Sequence, residues 1–155
     1  MSPNDMAAMY LQSLADDEAF PGGLAHREAL HRLDPDYTLA SLDRVDRLLD
    51  GIRGVRALDY GQFLNLKANQ NFLYLLCFYV GATVARCSDQ AIEWLDYEQM
   101  RRRMPGEGSL QRCFATSITC VLQKRGCFMP LLSIEDRLFG NPPTLSVLGS
   151  AQGFI

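Results

Sequence analysis

Hydrophobic positions follow a helical period through the first half of the chain and take on a strand-like texture afterwards. Ser2 before Pro3 marks a helix start, because proline at the first helical position gives up only an N–H that lacks an intrahelical partner. Met6, Met9, Tyr10 and Leu14 follow at helical spacing, and Pro21-Gly22-Gly23 closes that segment. A short helix is expected from His26 to Leu33, stopping before Asp34-Pro35. Ser41 is the expected N-cap of the next. There Leu42, Val45, Leu48, Leu49 and Ile52 share one face, while Asp43, Arg44, Asp46, Arg47 and Asp50 fall elsewhere. Asp59 to Cys87 reads as the longest helix, with a break at Asn69-Gln70-Asn71 as the alternative. Its run from Phe72 to Val80 is apolar nearly all round, which marks the central core helix. Gly81 would let another backbone come close.

After Ser88-Asp89-Gln90 the pattern changes. Ala91 to Tyr97 suits a strand, Arg101 to Gly106 a turn or loop, and Leu110 to Leu122 a long strand rich in Phe, Thr, Ile, Cys and Val. Lys124-Arg125-Gly126 is a hairpin signal. Cys127 to Ile134 would return as a strand interrupted at Pro130, which cannot donate to a ladder, so that strand is an edge or is cut short. A helical turn is expected over Glu135 to Phe139. One domain over 1–155 follows, mainly helical over 1–88, mainly strand over 91–134, with an uncharged tail over 140–155. The fold class expected is α+β: N-terminal helices, one of them a long core helix, packed on a C-terminal antiparallel sheet of about three to five strands.

The length of 155 residues suits a single domain, and 48% apolar with 21% charged residues excludes disordered, collagen-like and disulfide-scaffold proteins. Phe72 to Ala85 spans 14 residues, short of the roughly 20 that a membrane helix needs. The first residues carry no basic region and no apolar stretch of the secretory type. Five cysteines cannot all pair within the chain, and Cys77 and Cys120 sit in apolar surroundings, so free thiols and a cytoplasmic location are expected. A net charge of −3 argues against a dedicated nucleic-acid binder. Residues 1–50 carry ten acids and four arginines, and the rest carry eight acids and eleven bases. With no linker between them, the two parts are expected to attract each other within one fold.

Reactive side chains are scattered. His26 and His31, five apart, diverge by about 140° on a helix, and neither Cys-x-x-Cys nor His-Glu-x-x-His occurs, so no metal or other cofactor is expected. Cys87 follows Arg86 near a helix C-terminus, where the helix dipole opposes a thiolate. Glu93 with Asp96 and Glu135 with Asp136 are paired carboxylates, and acid–base work would need one of a pair buried. The glycine clusters Gly106-Glu107-Gly108-Ser109 and Gly149-Ser150-Ala151-Gln152-Gly153 miss the nucleophile-elbow pattern and read as loops. Arg101-Arg102-Arg103 is the densest positive patch. Arginine suits protein interfaces and pairs bidentately with carboxylates, so these three, with Trp94 and Tyr97, are the candidate partner-binding residues. Leu145, Val147, Leu148, Phe154 and Ile155 in the tail are expected to pack across their own domain, with joining a second subunit as the alternative.

The apolar helix ending in Tyr79-Val80-Gly81-Ala82-Thr83-Val84, the strand with Trp94, the strand pair reaching Pro130 and the closing Ile134-Glu135-Asp136-Arg137-Leu138 resemble a group of small bacterial α+β proteins, some linked to toxin–immunity or secretion loci. The likeness covers roughly residues 38–140. Ala82 stands where that pattern often has Glu. The resemblance carries no catalytic residues. The function expected is a non-enzymatic cytoplasmic protein-binding module, of the immunity type, that neutralises a toxin or meets a secretion component by occlusion. The competing class is a small hydrolase or transferase using a cysteine such as Cys87 or the Glu93/Asp96 pair.

Overall fold

The computed structural model describes residues 1–107 and 110–155, and Gly108 and Ser109 of the first glycine cluster lie outside them. The fold is α+β. Five helices precede the sheet: α1 (Pro3–Asp16), α2 (Arg27–Arg32), α3 (Leu39–Arg53), α4 (Tyr60–Leu64) and α5 (Lys67–Ser88). Then come β1 (Ile92–Asp96), α6 (Tyr97–Arg103), β2 (Ile118–Leu122), β3 (Gly126–Phe128), α7 (Pro130–Phe139) and α8 (Val147–Gln152).

Local chemistry sets the helix boundaries. Ser2 and Asp5 form a reciprocal capping box at the start of α1, with Pro3 in the first turn. Thr38, not Ser41, caps α3. Ser41 is instead fully buried, and its hydroxyl accepts a 2.7 Å hydrogen bond from Tyr79 on α5. The break before the core helix falls at Asn65 and Leu66 rather than at Asn69–Asn71. Asn71 lies inside α5, where its carbonyl accepts from the Tyr10 hydroxyl at 2.7 Å and its amide donates to Pro21 O and Gly23 O. A buried amide satisfied on both ends thus joins α1, the Pro-Gly-Gly turn and α5.

The sheet is antiparallel with order β1-β2-β3, and Trp94 pairs with Cys120, which pairs in turn with Phe128. Alternation sends these three toward α5, while Leu95, Thr119, Val121 and Cys127 face the other way. On the α5 side, Gly81 admits the Trp94 indole: a Cβ there would overlap the ring and lie 3.2 Å from Cys120 Sγ. The close approach is therefore made by a side chain, not by another backbone. Trp94 also meets Phe78 edge-on, with ring centroids 5.0 Å apart. The outer edge of β1 is covered, because the Trp94 N–H donates to Asn4 Oδ1 at 2.8 Å.

The region 91–134 holds less strand than its texture predicts. Asp96 and Gln99 form a capping box that winds Tyr97–Arg103 into α6, so the triple arginine lies on a helix and not in a loop. Residues 110–117 stay outside the ladder, because Thr116 and Ser117 hydroxyls bond nearby backbone carbonyls of Gln111 and Phe114. Pro130 does not interrupt a strand. It opens α7 as a first-turn proline, where its missing N–H costs nothing.

The tail packs across its own domain. Asp46 of α3, 5% exposed, accepts the Val147 and Leu148 N–H groups at 2.8 and 3.1 Å, and Ser146 takes that of Gly149. Every N–H of the first turn of α8 thus has a partner. Asp136 accepts from the Thr144 and Leu145 N–H groups, and Arg137 forms two 2.7 Å hydrogen bonds with Asp50. Gly149-Ser150-Ala151-Gln152 is helical, not a loop. Among the described residues, Arg137 with Asp46 and Asp50 is the ion-pair cluster that joins the acidic first part to the basic second part. The other pairs are local to one part or the other.

Candidate functional site

The sheet face turned away from α5 is covered by α6. Leu95, Tyr97 and Met100 form a small second core there, with Val121, Met104, Leu110 and Met129 packed against it. Cover is incomplete. A cleft of about 390 Å³ opens between α6, β3, the start of α7 and the tail. Met100 and Met104, one helical turn apart, supply one wall; Cys127, Phe128 and Met129 supply the next. Leu132 and Ser133 of α7 face Leu145, Ser150 and Phe154 of the tail. Phe154 stacks on Phe128 with ring centroids 4.7 Å apart. Cys127 Sγ meets Met104 Sδ at 3.2 Å. The described lining contains no ionisable group other than that thiol.

The candidate partner-binding residues divide. Trp94 is 4% exposed within the main core and Tyr97 is 7% exposed with its hydroxyl donating to Leu110 O at 2.7 Å, so neither presents a surface to a partner. Trp94 anchors the sheet against Gly81 of α5, and Tyr97 anchors the second core beneath α6. Arg101, Arg102 and Arg103 are exposed at the end of α6. Arg103 grips Glu93 with contacts of 2.6 and 3.2 Å, which holds that carboxyl below its ordinary range. Arg101 lies beside the Tyr97 ring at 5.9 Å, and no ion pair is formed by Arg101 or Arg102 among the described residues.

The groups considered for catalysis do not meet. Glu93 is engaged with Arg103, while Asp96 caps α6 by accepting the Gln99 N–H at 2.8 Å. Glu135 accepts from the Tyr60 hydroxyl at 2.9 Å; burial raises its pKa, and Tyr60 partly opposes that rise. Its neighbour Asp136 points to the tail. Cys77 and Cys120 are buried, and desolvation pushes both thiols up. Cys87 is exposed and contacts Tyr37 O at 3.6 Å. His31 pairs with Asp17 at 2.9 Å, and His26 meets the Phe72 ring edge-on. Among the described residues, no group of three or more His, Cys, Asp or Glu side chains could hold a metal ion. None of the described helices is long and apolar enough to cross a membrane.

Sequence reasoning missed the cleft. Its usable signals were Asp96-x-x-Gln99, a helix-start pattern, and Met100 and Met104 four apart just after it. Compared with known protein families, curated proteins and solved structures, the chain matches none.

Proposed function

We propose that this protein is a non-enzymatic, cytoplasmic protein-binding module of the immunity type, which covers a functional surface of a toxin or secretion component. One observation carries the reading: an uncharged, methionine-lined cleft is bounded by a helix whose exposed end bears Arg101 and Arg102 without carboxylate partners among the described residues. Apolar lining supplies contact area, and methionine adapts its shape to the group it meets. The arginines favour an acidic partner and speed its approach more than they deepen affinity. A net charge of −3 supports a protein partner over nucleic acid.

The test is a neutralisation assay with proteins encoded beside this chain's gene. The chain should restore growth to cells expressing one of them and co-purify with it. Arg101→Glu with Arg102→Glu should slow association, as should added salt. Failure of every encoded neighbour to bind the folded chain overturns the reading.

A further inference from the structure

We draw no further inference here: the strongest candidate, the apolar cleft between α6, β3, the start of α7 and the tail, belongs to the site already described, and nothing in the structure shows what covers it.

Discussion

The two faces of one small sheet are built to opposite standards. Toward α5, Trp94 fills the notch left by Gly81, touches Phe78 edge-on and excludes even a methyl group. Toward α6, the same strands carry Leu95, Val121 and Cys127 beneath a helix of seven residues and leave a cleft at its edge. The described structure also has a buried hydroxyl without a hydrogen-bond partner, Thr119 Oγ1, on this second side of β2. A closely packed layer has little room to give, whereas a layer of unbranched methionines can repack at low cost. Stability should therefore concentrate on one face and adaptability on the other.

That contrast breaks most readily at Trp94. Trp94→Ala should cost about 3–5 kcal/mol of unfolding free energy, read by urea denaturation. Gly81→Ala should cost about 2–3 kcal/mol through overpacking, and combining the two should cost less than their sum, because the methyl then enters the vacated space. Next in size, Asp46→Ala strips two N–H groups of α8 of a charged acceptor and should cost about 2–3 kcal/mol. It should also raise binding of an apolar dye, since the tail forms one wall of the cleft. Met104→Leu should change stability by less than about 1.5 kcal/mol, as volume-conserving swaps do. Smallest of all, Thr119→Val removes an orphaned hydroxyl and should be neutral or stabilising by up to about 1 kcal/mol. A Thr119→Val loss as large as that of Gly81→Ala would erase the distinction between the faces.

The sealed face was largely legible in the sequence and the open one was not. A run as apolar as Phe72–Val80 has one fate in water, and Gly81 beside it marked a close approach. The partner in that approach, Trp94, lies 13 residues on in sequence and reaches Gly81 only through the chain reversal into β1. Around the cleft, local and long-range signals compete. Three consecutive arginines and Pro105-Gly106 resemble a loop, yet one capping box outweighs them and turns Met100 and Met104 inward. Pro130 looks like a broken strand and is a helix start. The fourth wall comes from the tail, which is fixed by carboxylates on α3 and α7 that no local pattern connects to it. A site assembled from four separate stretches leaves no motif in any of them.

Asn4 holds a further implication for how this sheet meets its surroundings. By occupying the Trp94 amide it plugs one border of the ladder, so extension by a foreign strand is confined to the short β3 side. Stacking of copies through continuous β pairing is thereby disfavoured at its first step, and contacts at the unplugged border are left to side chains.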